Sequence, residues 1–207
     1  MPSEKLLNYA KRLKTMSHIG LTYATNGYEV ERYKELEQIS LEMMNLATDH
    51  PLESLSLYFN DKKEYITPKV DIRAVIFNDQ NQILLVKEKA DGKWSLPGGW
   101  ADIGLSPTEV AVKEAFEETG FIVAPKKLLA VLDKRHHPHP PQLDYTYKIF
   151  IRCHITGGEH TGAFDILDVG FFDQNTIPEL STDRVLPSQI DLMFEYLYHP
   201  DKEAIVD

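Results

Sequence analysis

Three carboxylates follow a pair of glycines: Gly98-Gly99, then Glu114, Glu117 and Glu118. At 100° per residue a helix over this stretch projects all three within about 100° of one another. Like charges three and four residues apart cost about 0.2–0.5 kcal/mol per pair. Glu117 and Glu118 also fall in the last turn, where the helix dipole favours cations. An ordinary solvated acidic face is the plainer reading. A divalent cation would remove both costs at once, directly after a glycine turn that lets the main chain come close to a ligand. Carboxylate oxygens without His or Cys select Mg²⁺ or Mn²⁺ over zinc.

The helix that would present them is well marked. Ser106 is a capping residue followed by Pro107, Glu109 stands three positions after the cap, and Gly120 suits the position just past the end. The helix is predicted over Pro107–Thr119, with Val112, Ala115 and Phe116 buried on the side away from the carboxylates. Lys113 is placed to reach Asp102 or Glu109. Around this helix the hydrophobic period is two. Strands are predicted at Val70–Phe77, Ile83–Lys87, Phe121–Val123, Lys127–Asp133, Tyr145–Ile155 and Val169–Phe172, with a loop over Asp91–Gly104 and a last helix over Pro187–Tyr198. Strands and helices mixed in this order predict an α/β layered domain.

Other residues could bind a substrate anion or base. Strand alternation puts Arg73 on a face shared with Val75 and Phe77, so it contacts a phosphate or pairs with Asp71. Lys134 and Arg135 open a loop and could meet a phosphate or a ribose; solvated loop charges are the alternative. Trp100, Tyr145 and Tyr147 could stack on a base or belong to the core. Prolines stiffen the run His136-His137-Pro138-His139, and no Cys or carboxylate joins it in sequence, so it reads as a surface loop rather than a zinc site.

The first sixty residues have a different texture. Leu6, Leu7, Tyr9, Ala10, Leu13 and Met16 recur at helical spacing, as do Tyr33, Leu36, Ile39, Met43 and Met44, with Asn26-Gly27 as the stop between them. Pro51 ends the second helix, and Leu52–Phe59 is a short third. Residues 1–62 are therefore expected to form a helical hairpin and residues 63–207 the layered domain. So small a hairpin must pack on the rest of the chain or on another subunit, and dimerisation is the expectation.

The 207 residues are 43% hydrophobic and 26% charged, which excludes disordered and coiled-coil classes. A net charge of −10 weighs against duplex DNA as a partner. Cys153 is alone, which excludes an internal disulfide and a thiolate zinc cage, and it reads as a packed strand thiol. No apolar run approaches the ~20 residues needed to span a bilayer, and the first residues lack a signal-peptide pattern, so the cytoplasm is expected.

Gly99, Glu114, Glu117-Glu118 and Gly120-Phe121 resemble the Nudix box in spacing, and the resemblance extends over roughly Pro68–Tyr198. The preceding hairpin resembles that of a bacterial subgroup including ADP-ribose and CDP-choline pyrophosphatases. The resemblance implies an α/β/α sandwich with a mixed sheet. It also implies Mg²⁺-dependent cleavage of a nucleoside diphosphate derivative into a nucleoside monophosphate and a phosphorylated partner. On that reading Glu114, Glu117, Glu118 and the Gly98 carbonyl hold the metal, and Gly99 lets the phosphates approach. Glu114, or a loop acid such as Asp165 or Asp168, takes the proton of the attacking water. Two positions depart from the pattern: Leu105 stands where the family has glutamate, and Lys113 where it has arginine. Because Leu105 cannot brace the loop, a non-catalytic nucleotide sensor is the first rival, and an enzyme acting on RNA ends is the second.

Overall fold

In a computed structural model, residues 2–59, 65–160 and 163–207 are described. They fall into two compact units, Met1–Pro68 with Pro141–Asp144, and Lys69–Pro140 with Tyr145–Asp207. The expected boundary between positions 62 and 63 lies outside the described residues.

The first unit contains α1 (Pro2–Tyr23), α2 (Gly27–Ala47) and α3 (Leu52–Tyr58). Asn26 caps α2 by accepting the Glu29 N–H at 3.0 Å. Its apolar core is small: Leu7, Ala10, Leu41, Met44 and Leu55, with Leu143 packed against them. Four of the eight buried residues described on α1 and α2 are polar, namely Lys14, Ser17, His18 and Ser40. Lys14 donates to Glu37 at 2.6 Å.

The second unit is built on β1 (Lys69–Ile76), β2 (Ile83–Glu88), β3 (Trp94–Ser95), β4 (Gly98–Trp100), α4 (Pro107–Thr119), β5 (Phe121–Asp133), β6 (Thr146–Gly158), β7 (Ile166–Phe172), α5 (Pro187–Tyr198) and β8 (Ile205–Val206). A five-stranded mixed sheet runs β4-β1-β6-β5-β8, and a three-stranded antiparallel sheet runs β3-β2-β7. β1 lies parallel to β6 and antiparallel to β4.

Alternation on β1 feeds two cores. Ile72, Ala74 and Ile76 pack with Val110, Ala111 and Ala115 of α4. Val75 and Phe77 join Phe150, Leu132, Ile190, Met193 and Phe194 on the α5 side. Helix, sheet and helix thus form the three layers expected.

Three sequence expectations need correction. The burying face of α4 carries Val110, Ala111 and Ala115, while Val112 is only partly buried and Phe116 is exposed. The helix is rotated toward the sheet so that Glu118, rather than Phe116, turns inward. The stretches Phe121–Val123 and Lys127–Asp133 are one strand, β5, because bulges after Ile122, Pro125 and Leu128 absorb the Pro125 interruption. Within Asp91–Gly104, read as loop, lie β3 and β4.

Candidate active site

α4 begins as its sequence dictates. The Ser106 side chain accepts the Glu109 N–H, and the Glu109 carboxylate accepts the Ser106 N–H at 2.7 Å. This capping box occupies Glu109, so Lys113 does not reach it. At the other end Gly120 adopts φ 80° and its N–H reaches Phe116 O at 2.8 Å. The helix is thereby fixed at both ends across β1 and β4.

β4 brings the glycines to the carboxylates. Gly98 pairs with Arg73 and Gly99 with Ile72. Gly98 has φ 143°, and a Cβ there would stand 2.0 Å from Ile72 O, so only glycine fits. Its N–H donates to Glu118 Oε2 at 2.9 Å. A Cβ on Gly99 would stand 3.2 Å from the Glu114 carboxylate, which therefore lies directly over the glycine turn.

The electrostatics mark this corner as strained for an anion. Glu118 is 8% exposed. Burial pushes its pKa up to about 8; Arg73 and the Gly98 N–H oppose that, while Glu88 and Glu114 add to it. Glu114 is also raised, chiefly by burial, with Lys113 opposing and Glu117 reinforcing. Glu117 stands apart, exposed, its Oε2 2.9 Å from Lys113 Nζ. Lys113 also approaches Asp102 at 3.2 Å, the first of the two partners expected for it.

Behind the carboxylates lies a buried ionic chain. Arg73 Nε donates to Asp71 at 2.9 Å and Nη1 to Leu96 O at 2.9 Å. Burial alone would lower the Arg73 pKa, but Asp71, then Glu118 and Glu88, hold it above its ordinary value. The structural pairing with Asp71 is thus present, and the guanidinium also acts on Glu118. On its other oxygen Asp71 accepts from Lys148, which is fully buried on β6 opposite it. Burial depresses the Lys148 pKa to about 8 against the pull of Asp71.

Beyond Arg73, Glu88 accepts from Ser95 Oγ at 2.6 Å and meets Arg184 Nε at 3.1 Å. Lys148, Glu88 and Arg184 were not singled out from sequence. Lys148 has a signal, since alternation places it on the same side of its strand as Phe150; Glu88 ends β2 and Arg184 lies in the turn before α5, and neither has one.

The other expected residues are scattered. Trp100 is exposed, with Lys69 Nζ 5.4 Å from its ring centroid. Lys134 donates to Asp183 O at 2.6 Å; burial lowers its pKa to about 8, while Asp71 and Asp183 oppose that. Arg135 folds back on Asp133 at 3.0 Å. Tyr145 is partly buried beside the start of β1, its carbonyl accepting from Lys69 N at 2.9 Å.

Asp168 is on the other sheet, opposite Lys87, its carboxylate taking the Val169 N–H. His137 meets Asp207 at 2.8 Å, and His139 meets Thr182 O at 2.7 Å. Cys153 is buried and its pKa raised to about 11, chiefly by burial, as a packed thiol.

Glu114 and Glu118 bring hard carboxylate oxygens to the Gly98-Gly99 turn, and the burial that raises both their pKa values is what a cation would relieve. The residues fit a divalent metal on this observation. Among the described residues no three His, Cys, Asp or Glu side chains gather as a cage; Glu117 points instead to Lys113. No helix is long and apolar enough to cross a membrane among the described residues.

Residues 67–179 match the NUDIX domain, and residues 4–59 match the UDP-X-like, N-terminal oligomerisation domain. A Bacillus subtilis (strain 168) protein named "Putative ADP-ribose pyrophosphatase YjhB" is 44% identical over 203 residues, covering 98% of this chain and 97% of that protein. An ADP-ribose pyrophosphatase of Methanocaldococcus jannaschii is 34% identical over 58% of this chain and 70% of its own length. The crystal structure of a UDP-X diphosphatase, 32% identical, superposes with a TM-score of 0.64 over 99% of both chains. The spacing of the glycines and glutamates, the layered fold and these similarities agree: the chain belongs to the Nudix hydrolase family.

Proposed function

We propose that this Nudix hydrolase is a Mg²⁺-dependent pyrophosphatase acting on a nucleoside diphosphate joined to a second group, with ADP-ribose and CDP-choline the leading substrates. The products are a nucleoside monophosphate and the phosphorylated partner. The observation that carries this reading is the partly buried Glu114 and buried Glu118 against the Gly98-Gly99 turn, in a chain whose relatives are named ADP-ribose pyrophosphatase and UDP-X diphosphatase. Glu114, Glu118 and the Gly98 carbonyl would hold the metal, Mg²⁺ or in its place Mn²⁺, and Glu117 would join on leaving Lys113. A divalent cation in such a site neutralises the diphosphate and acidifies the attacking water.

The protein's own groups do the rest. Arg73, held by Asp71, opposes the rise in the Glu118 pKa and so eases its ionisation when a cation binds. Gly99 leaves room for a phosphate beside Glu114. Glu114 is the favoured base, with Asp168 second. Trp100 and Tyr145 are assigned to the base, and Lys134 and Arg135 to the distal phosphate or ribose. The assignment further divides the chain into residues 1–62, a dimerising hairpin, and residues 63–207, the hydrolase, and places the homodimer in the cytoplasm.

The test is a panel of nucleoside diphosphate derivatives in Mg²⁺, with products identified by chromatography and Glu118→Gln as the blank. One compound converted to a monophosphate by the native protein alone supports the reading. No turnover, with a nucleotide still raising the melting temperature, would replace it with the sensor that Leu105 favours.

A further inference from the structure

The buried charge of the hydrolase unit runs in a line whose two ends are unlike. At the α4 end stand carboxylates that lack a cation. At the other end stand ammonium groups that lack an anion. Buried Asp71 is shared by two cations, accepting from Arg73 Nε at 2.9 Å and from Lys148 Nζ. Lys134 joins them from the turn after β5: Asp133 pairs with Tyr147, so the chain leaves that strand beside Thr146.

These polar groups are under-satisfied. An ammonium has three donors. Lys148 is fully buried and makes no hydrogen bond other than that to Asp71 among the described residues. Lys134 is part-buried and donates to a neutral acceptor, Asp183 O, at 2.6 Å. Thr146 lies two residues before Lys148 on the same face of β6. It is 2% exposed, and its Oγ1 has no hydrogen-bond partner. A buried hydroxyl left unpaired is costly, and in a native protein it calls for a ligand or an ordered water.

The electrostatics agree with the geometry. Burial lowers the pKa of both Lys134 and Lys148 to about 8; Asp71 opposes this in each, and Arg73 adds to it in each. Part-buried His139 is held to about 4, by burial first, with Thr182 O opposing and then Lys134 and Lys148 adding. Three cations thus gather about one buried carboxylate, with Asp183 acting on Lys134 from the loop before α5.

The spacing fits a substrate. Gly98 pairs with Arg73 on β1, and Lys148 pairs with Asp71. Two strand spacings and two residues separate Gly98 from Lys148, about 12 Å between Cα atoms. That exceeds the span of a diphosphate and matches a diphosphate extended by one sugar. Arg73 is in electrostatic reach of both ends, since Asp71 and Glu118 both act on it.

We infer that Lys134, Lys148 and Thr146 form a subsite for an anionic oxygen group, a phosphate or a carboxylate, carried on the sugar of the substrate's second group. Lys134, the most exposed of the three, meets the anion; Thr146 donates its hydroxyl, and Lys148 supplies charge behind. The inference rests on the reading of the protein as a nucleoside diphosphate hydrolase and narrows its substrate class. An acidic second group is preferred, and a cationic one such as choline is disfavoured.

Initial rates on two matched pairs in saturating Mg²⁺ test it: UDP-glucuronate against UDP-glucose, and ADP-ribose 1″-phosphate against ADP-ribose. Within a pair that is turned over, the acidic member should have the lower KM, by about 10–100-fold, with kcat changed far less. Lys134→Gln should bring that ratio near one, and Thr146→Val should shrink it. Thr146→Val should also raise the melting temperature of the ligand-free protein by about 2–4 °C, because it removes an unpaired buried hydroxyl; a threonine with a purely structural role would lower it. A second readout needs no turnover. In EDTA, millimolar inorganic phosphate should raise the melting temperature of the native protein and leave that of Lys134→Gln unmoved.

Equal KM values within the pairs, a preference for the neutral members, or a ratio that both variants leave intact overturns the subsite, while turnover itself keeps the hydrolase standing. No turnover of any compound overturns the hydrolase reading instead. The phosphate response then judges the subsite alone: lost in Lys134→Gln it stands, and absent or retained it falls.

Discussion

The two units bury charge in opposite ways. In the hairpin an ion pair, Lys14–Glu37, lies in the seam between helices while large apolar side chains face outward. In the hydrolase unit two apolar layers are complete, and buried charge is concentrated along one line: Lys148, Asp71, Arg73, Glu118, with Glu88 and Arg184 beyond. Buried pairs cost desolvation wherever they occur. The difference lies in what stands at the end of the line. In the hairpin the pair ends in packing. In the hydrolase unit it ends at a carboxylate that needs a cation.

The largest effect separating the two should come from the end of that line. Glu118→Gln is expected to lower turnover at saturating Mg²⁺ by about 10²–10³-fold or more, the size typical of a lost charge-stabilising group, as measured by initial rates. Next is Asp71→Asn, which leaves Arg73 and Lys148 buried without their anion and should cost about 3–5 kcal/mol in urea unfolding. The parallel change in the hairpin sharpens the contrast. Lys14→Met with Glu37→Leu replaces a buried pair by apolar groups, so stability should stay within about 1 kcal/mol or rise, with turnover unchanged.

A pH effect of intermediate size follows from Glu118. Its folded pKa, about 8, lies above the ordinary value of 4.5. Between those values the folded state binds more protons than the unfolded one, so metal-free stability falls as pH rises from about 4.5 to about 8. Glu118→Gln should flatten that slope and melt higher than the native protein at pH 8.5. A steeper fall in the variant would contradict the assignment. The smallest effect belongs to Lys113→Ala. Its pairs are half exposed, and less than about 1 kcal/mol should be lost in the same unfolding measurement.

Much of this was legible in the residues. The capping box, Pro107 and Gly120 fix α4, and the alternation of β1 gives its two faces; it leaves Arg73 open between a phosphate and Asp71, and the structure shows the Asp71 pair. Helical spacing and Asn26 give the hairpin. What could not be read has physical causes. Glu118 turns inward and Phe116 outward because the helix rotates to meet Gly98, a tertiary contact with no sequence period. Pro125 hid the continuity of β5 because a bulge, rather than a strand end, accommodates it. β8 spans only two residues, too short for any alternation. Lys148 was passed over because lysine is almost never fully buried unless paired, and its partner lies 77 positions away.

The central claim is that Gly98, Glu114 and Glu118 form a divalent-cation site. Titration calorimetry with Mg²⁺ at pH 7, in two buffers of different ionisation enthalpy, measures both affinity and the protons released. Because Glu118 is largely protonated at that pH without metal, the native protein should release about one proton per site on binding, and Glu118→Gln should bind far more weakly and release fewer. Equal affinity and equal proton release in the two proteins would contradict the site.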